Sequence, residues 1–364
     1  MARKLRRWTL AAAIPFPFRS PNFCWSGLFP IKPLTPLRES PGARQSGLAG
    51  DITQHFGGMA DMVSLNACKV WRQADSASKS EFFRLDWHPM KERLDVVGYW
   101  TEIKLQILQE YAVAYAQILQ NQRFIKHVAY IDGFAGAGVH ISKQSGKPIA
   151  GSPARALSIQ PRFSHYHFVE MDAARAKRLH GMGDEKDVTV YQGDCNEVLL
   201  QEIFPQCRYE DYRRALCLLD PYDLNPNWEV VEAAGKMGSI EIFLNFMIMD
   251  ANMNVLWKNP ESVPPDQAAR MARFWGDDSW RAAAYHSEPG LFGPIEEKTS
   301  NESVIAAYRK RLKEVANFKF VPEPLPMCNT RGAVVYYLFF ASQNPTGNKI
   351  AEHIFKKCRA QAGH

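Results

Sequence analysis

Three glycines within a run of six residues mark the most informative part of the sequence. They are Gly133, Gly136 and Gly138, in the run Tyr-Ile-Asp-Gly-Phe-Ala-Gly-Ala-Gly at residues 130–138. Because glycine has no Cβ, the backbone of such a loop can approach a bound ligand closely. The order differs from the G-x-G-x-x-G of dinucleotide folds, and a plain turn is the alternative interpretation. The candidate cofactor-binding residues in this loop are Asp132, Gly133, Phe134, Gly136 and Gly138.

Acidic side chains follow the next two apolar runs. Glu170 lies in the sequence Phe-Val-Glu-Met-Asp at residues 168–172, and Asp194 ends Gln-Gly-Asp at residues 192–194. An acid at the end of a strand can accept hydrogen bonds from both hydroxyls of a ribose. Taken singly, each acid also fits a solvated strand end. Together they occupy successive strand ends, where open α/β sheets bind ligands.

A fourth candidate segment, Asp220-Pro221-Tyr222, follows the apolar residues Leu218 and Leu219. A carboxylate and a proline carbonyl can both accept hydrogen bonds from an amino group, and an aromatic ring can stack on a base taken out of its helix. We therefore predict a catalytic role for Asp220, Pro221 and Tyr222. The alternative is a turn that ends a strand, with Tyr222 used for packing.

The elements that would position these residues alternate along the chain. A helix at residues 100–120 has its apolar residues on one face. Strands are then predicted at 127–134, 166–172, 188–194, 215–222 and 241–247, with helices at 153–160, 173–182, 196–204 and 228–237 between them. This alternation predicts βαβ units and a mostly parallel, Rossmann-like α/β sheet.

The remainder of the chain is predicted to form an insertion and a closing section. Helical patterns at 267–275 and 300–315 precede two last strands at 318–321 and 334–341, a turn at 344–347 and a helix at 349–357. The expected organisation is a disordered or spurious extension (1–78), a helical segment packed on the sheet (79–126), a cofactor-binding core (127–258), a helical insertion (259–316) and the final strands with a closing helix (317–364).

Charge and cysteine content exclude several classes of function. The formal net charge is +6, but the first 50 residues hold eight basic residues and one acid, so the rest sums to about −1. A near-neutral body has no whole-domain signature of nucleic-acid binding, although a local basic rim remains compatible with it. The seven cysteines form no C-x-x-C pair, so we predict reduced thiols in a cytoplasmic protein, without a metal site. No apolar run reaches the length of a membrane span.

The glycine run and the strand-end acids resemble those of methyltransferases that use S-adenosylmethionine. Residues 132–138 resemble motif I of amino-methyltransferases, and such enzymes often place an acid near the adenine amino group where Asp194 lies. Asp220-Pro221-Tyr222 resembles their Asp-Pro-Pro-Tyr box, but it lacks the second proline, so the tyrosine comes one position early. The resemblance implies S-adenosylmethionine as cofactor and a seven-stranded sheet whose last strand is antiparallel.

A closer resemblance is to the bacterial three-Cys-motif partner proteins (TcmP). It covers about residues 79–357 and depends on residues 130–138, Gly-Ser-Pro at 151–153, Leu-Asp-Pro-Tyr at 219–222 and the segment 338–347. The family often has Phe and Gly where this chain has Tyr222 and Asp223. Membership implies a three-Cys-motif protein, encoded nearby, as partner.

Two functional hypotheses follow from these patterns. The first is a methyltransferase that transfers a methyl group from S-adenosylmethionine to an amino group, with a nucleobase as one candidate acceptor. The second is a non-catalytic partner of a three-Cys-motif protein that keeps the methyltransferase fold. A dinucleotide-binding enzyme ranks third, because the order of the glycines disfavours it.

Overall fold

The structure is a computed structural model that describes residues 94–183, 187–290 and 293–362. The predicted extension at residues 1–78 lies outside these residues. After the two-residue strand β1 (Val96–Val97), the chain forms the long helix α1 (Tyr99–Gln120). The residues buried along α1 recur every three or four positions, among them Leu105, Leu108 and Ala112, so one face of the helix packs on the core.

The main sheet has seven strands in the order β11-β12-β8-β7-β2-β5-β6. Their bounds are β2 (His127–Asp132), β5 (His165–Glu170), β6 (Val188–Gln192), β7 (Arg213–Leu219), β8 (Ile240–Phe246), β11 (Leu325–Cys328) and β12 (Val334–Ala341). Strands β2, β5, β6, β7 and β8 pair in parallel, whereas β12 pairs antiparallel with both β8 and β11. This is a Rossmann-like methyltransferase fold, and the predicted antiparallel last strand is confirmed.

Helices cover both faces of this sheet. They are α2 (Ser152–Leu157), α3 (Ala173–His180), α4 (Cys195–Val198), α5 (Trp228–Met237), α6 (Ile248–Asn254), α7 (Pro265–Trp275), α8 (Trp280–Ala284), α9 (Asn301–Glu314) and α10 (Pro345–Ala362). Alternate residues of β2 belong to different cores: Ala129 and Ile131 to one, Val128 and Tyr130 to the other. Burial on both faces explains why the parallel strands are continuous apolar runs in the sequence.

The structure differs from the sequence prediction at three places after β8. Residues 318–321 are not a strand: Phe320 makes a single bridge to Ser342, and β11 lies further on, at Leu325–Cys328. The insertion is not purely helical, because it contains the hairpin β9 (Tyr285–Gly290) and β10 (Gly293–Lys298). The predicted turn at 344–347 is the start of α10, where the Asn344 side chain accepts a hydrogen bond from the Thr346 N–H (2.9 Å).

A small three-stranded sheet beside the glycine loop is absent from the sequence prediction. Directly after Gly138 the chain forms β3 (Val139–Ser142) and β4 (Pro148–Ala150), which pair antiparallel, and β1 pairs in parallel with β3. These strands have only two to four residues each, too few for a periodicity to be detected. Among the helices of the described residues, none has the length and apolarity to cross a membrane.

Candidate functional site

The glycine loop is fixed to the strands on either side of β2. The Gly133 N–H donates to the Leu218 carbonyl of β7 (2.9 Å), and the Ala135 N–H donates to the Val169 carbonyl of β5 (3.0 Å). Gly136 has a φ of +62°, which favours glycine, and an added Cβ would meet no described atom within 4 Å. The loop therefore leaves open space beside its backbone at Gly136.

Gly138 is a glycine for a different reason. Its φ is +74°, and an added Cβ would lie 2.4 Å from Met182 Sδ, just after α3. Its carbonyl accepts a hydrogen bond from the Gly151 N–H (2.9 Å), which joins the loop to the start of α2. Gly138 thus supports packing of the loop. Of the three glycines at 133, 136 and 138, only Gly136 faces open space.

Asp132 is fully buried at the end of β2. Its Oδ1 accepts a hydrogen bond from the Phe134 N–H (3.2 Å), but its Oδ2 has no hydrogen-bond partner among the described residues. Burial raises the pKa of Asp132 to about 7; the nearby Ser152 hydroxyl lowers this pKa, and the charge of Asp220 raises it. A buried, unpartnered carboxylate oxygen is costly, so a ligand that donates a hydrogen bond to it would relieve that cost.

Glu170 and Asp194 lie at the ends of the neighbouring strands, as predicted. Glu170 Oε1 accepts a hydrogen bond from the Asp172 N–H (2.9 Å). Asp194 caps α4, because its Oδ1 accepts a hydrogen bond from the Asn196 N–H (2.7 Å). Each carboxylate therefore uses one oxygen to shape the local backbone.

Asp220 lies in a polar cluster that sequence reasoning missed. Lys104 Nζ of α1 donates to Asp220 Oδ2, and Asn245 Nδ2 of β8 donates to Asp220 Oδ1. The Lys104 ammonium also lies 5.6 Å from the centre of the Tyr336 ring on β12. A lysine on the apolar face of a helix and an asparagine inside an apolar strand were the available signals, but neither shows which acid it contacts.

Pro221 and Tyr222 have different environments. Pro221 is buried, whereas Tyr222 is 71% exposed. The Tyr222 hydroxyl donates to Asp95 Oδ2 (2.9 Å), and Arg175 Nη2 on α3 lies 3.2 Å from Asp95 Oδ1. Tyr222 follows β7 and Arg175 follows β5, and these strands flank β2. The bridge Tyr222–Asp95–Arg175 therefore connects the loop after β7 with the helix α3 that follows β5.

The predicted site residues thus lie at the carboxyl ends of the adjacent strands β7, β2, β5 and β6. The register places Asp132 beside Phe168 of β5 and Leu218 of β7, and Glu170 beside Gln192 of β6. This edge of a parallel sheet is where ligands bind in open α/β folds. The open space at Gly136 and the unpartnered Asp132 oxygen fit a cofactor that carries hydrogen-bond donors, as S-adenosylmethionine does.

Comparisons with known proteins found distant structural neighbours. No protein-family model and no curated protein matches the sequence. Among solved structures, a Legionella pneumophila protein of the DUF519 family aligns at 12% identity and a TM-score of 0.43, over 70% of this chain and 91% of its own. The S-adenosylmethionine-dependent methyltransferases from Clostridium acetobutylicum and Mesorhizobium loti align at 8% identity with TM-scores of 0.32 and 0.29. They cover 65% and 64% of this chain, and 91% and 99% of theirs. At these TM-scores the likeness says nothing about activity, and the strand order given above defines the fold.

Proposed function

We propose that this protein transfers a methyl group from S-adenosylmethionine to an amino group. The observation that carries the proposal is the position of Asp220 at the end of β7, next to the strand whose loop leaves open space at Gly136. At this position the Asp220 carboxylate would lie beside bound S-adenosylmethionine, where it can accept a hydrogen bond from the amino group that receives the methyl group. The strand-end acids of β5 and β6 add the polar groups that a nucleoside-containing cofactor requires.

Each residue has a defined task in this proposal. When bound, S-adenosylmethionine supplies an electrophilic methyl group on a sulfonium sulfur. The residues that would hold it are Asp132, Gly136, Glu170 and Asp194. Methyl transfer is an in-line displacement, so the protein chiefly has to orient the nucleophile. Asp220 accepts a hydrogen bond from the acceptor amino group, with the Pro221 carbonyl as second acceptor, and this leaves the nitrogen lone pair directed at the methyl group.

In our proposal the methyl acceptor is an amino group of a nucleobase. The protein itself is proposed to be a cytoplasmic bacterial member of the TcmP family. The exposed Tyr222 ring supports this choice, because an aromatic face can stack on an extruded base and contribute roughly 1–3 kcal/mol. A three-Cys-motif protein encoded nearby is the proposed partner.

One observation favours the second candidate, a non-catalytic partner protein that keeps the fold. Both Asp220 oxygens already accept a hydrogen bond, from Lys104 and from Asn245. Each carboxylate oxygen has two lone pairs, so an amino group can still be accepted without breaking either bond. The methyltransferase proposal therefore stands first.

The proposal is tested by measuring methyl transfer from labelled S-adenosylmethionine to RNA, DNA and protein fractions. Cofactor affinity is measured separately by calorimetry. Asp220→Ala should abolish labelling and leave cofactor affinity nearly unchanged, because its task lies with the acceptor. Asp223→Ala is the matched control: this acid lies in the same loop but contacts Arg270 (3.7 Å), and its loss should leave labelling largely intact. Cofactor binding without labelling under any condition would favour the partner protein, and undiminished labelling by Asp220→Ala would remove that residue from the mechanism.

A further inference from the structure

Lys104 is a buried lysine on the helix that covers the sheet. Only 5% of it is exposed, and its ammonium meets Asp220 and the face of the Tyr336 ring. Burying an ammonium group is unfavourable unless it is paired. In α1 the neighbours one turn further on are the apolar Ile107 and Leu108, so a hydrophobic residue would fit the packing of this face. The charge at position 104 therefore points to a task at Asp220.

Asn245 holds the Asp220 carboxylate from the other side. It lies on β8, where the register pairs Leu244 with Leu219 and so brings Asn245 next to Asp220. Its Nδ2 donates to Asp220 Oδ1, while its own Oδ1 is buried without a hydrogen-bond partner in the described part of the chain, as is the Tyr336 hydroxyl. Two donors thus fix the orientation of the carboxylate, and two unpartnered polar atoms lie in the side chains around it.

A fully buried carboxylate near Asp220 makes the lysine charge more important. Asp132 ends β2 and Asp220 follows the neighbouring strand β7, and the charge of Asp220 contributes to the raised pKa of Asp132, whereas Lys104 opposes that rise. Like charges this close disfavour each other's ionisation. Lys104 is the ammonium that contacts Asp220, and its charge also acts on Asp132.

We propose that Lys104 is a positioning residue for the methyl transfer: its ammonium, together with the Asn245 amide, holds the Asp220 carboxylate in the orientation that faces the acceptor amino group. This inference deepens the proposed function and depends on it. Lys104 acts through Asp220, so its removal should lower turnover while leaving cofactor affinity almost unaltered.

The test is a double-mutant cycle read by kcat and by KM for S-adenosylmethionine. Lys104→Met should lower kcat by about 10–100-fold, the scale of a hydrogen bond between charged groups, while KM for the cofactor stays nearly unchanged. Lys104→Arg keeps the charge and the donors, so it should recover most of this turnover. In an Asp220→Asn background, whose side-chain carbonyl can still accept from the amino group, Lys104→Met should cause no further loss of turnover.

Lys126→Met is the matched control, because Lys126 also lies over a tyrosine ring (Tyr212, 5.2 Å) but is exposed and precedes β2, at the end of that strand opposite the site. It should behave as the unmodified protein. Folding and cofactor affinity of every variant are checked by thermal denaturation and calorimetry. Additive losses in the cycle, or undiminished kcat in Lys104→Met, would overturn the role of Lys104 alone. Absence of labelling by the unmodified protein would instead overturn the proposed function and this inference with it.

Discussion

Raising the pH through 7 should tighten the binding of S-adenosylmethionine, because Asp132 ionises in that range. The carboxyl is fully buried, and burial raises its pKa to about 7. Its Oδ2 has no hydrogen-bond partner among the described residues, so a cationic ligand that donates to it should prefer the ionised form. At pH 6 most molecules hold the proton, and the cofactor has to displace it. At pH 8 the carboxylate is already present.

The size of the effect follows from the ionised fraction. With a pKa of about 7, this fraction rises from about 0.1 at pH 6 to about 0.9 at pH 8, so affinity should rise about tenfold, or about 1.4 kcal/mol. Binding at pH 7 should release about half a proton. The apo protein responds in the opposite sense: its unfolded state ionises Asp132 first, so this residue's contribution to the free energy of unfolding falls as pH rises from about 4 to 7.

Isothermal titration at pH 6, 7 and 8, in two buffers with different ionisation enthalpies, measures both the affinity and the proton release. Asp132→Asn should remove the Asp132 component of each, and any titration of the ligand itself cancels in the comparison. Glu241→Gln is the matched control, because burial also raises the pKa of Glu241 to about 7, but its hydrogen bonds from Tyr111 and Ser342 keep it inside the core. Equal pH dependence in the unmodified protein and in Asp132→Asn would refute the reasoning.

Two further predictions test the cofactor loop and the fold. Gly136→Val should weaken S-adenosylmethionine binding by at least 1–3 kcal/mol, and so should Glu170→Ala, whereas Gly146→Val, with a similar φ of +65° and equal open space, should leave the calorimetric affinity unchanged. Burial lowers the pKa of His167 to about 3, so the folded state keeps this ring neutral and its contribution to stability, complete above about pH 6.5, is lost as pH falls. The free energy of unfolding measured by urea denaturation should therefore fall by about 2 kcal/mol less between pH 7.5 and pH 5 in His167→Gln than in the unmodified protein.

The sequence predicted the central βαβ elements because each parallel strand is buried on both faces. Such strands are unbroken apolar runs, and the helices between them have one apolar face. Helix α5 and strand β12 have the bounds that their patterns predicted, at Trp228–Met237 and Val334–Ala341. Short elements such as β11 gave no such signal. Residues 318–321 have the apolar content of a strand and were predicted to form one, but the strand that pairs with β12 at the sheet edge is β11.

The residues of the candidate site also divide into those that the sequence predicted and those that it did not. Asp132, Glu170 and Asp220 each follow an apolar run directly, and Asp194 comes two residues after the end of β6. Their positions at or near the ends of strands are therefore local properties of the chain. Parallel pairing then brings all strand ends to one edge of the sheet. The partners of these acids are not local: Lys104 is 116 positions from Asp220, and Asn245 is 25 positions away.

The sequence by itself determined the order of the central strands and helices, the acids that lie close to the strand ends and the run of glycines. The strands β2, β5, β6 and β7 end two or three residues earlier than their patterns predicted, at Asp132, Glu170, Gln192 and Leu219. Only the tertiary structure decided that Lys104 and Asn245 meet Asp220, that Asp132 keeps a buried oxygen unpartnered, and that Gly136 rather than Gly138 lies beside open space. The physical reason is that strand and helix periodicity depends on neighbours within a few residues. Charge pairing, burial and free space depend instead on which distant elements pack together, and no local pattern records that.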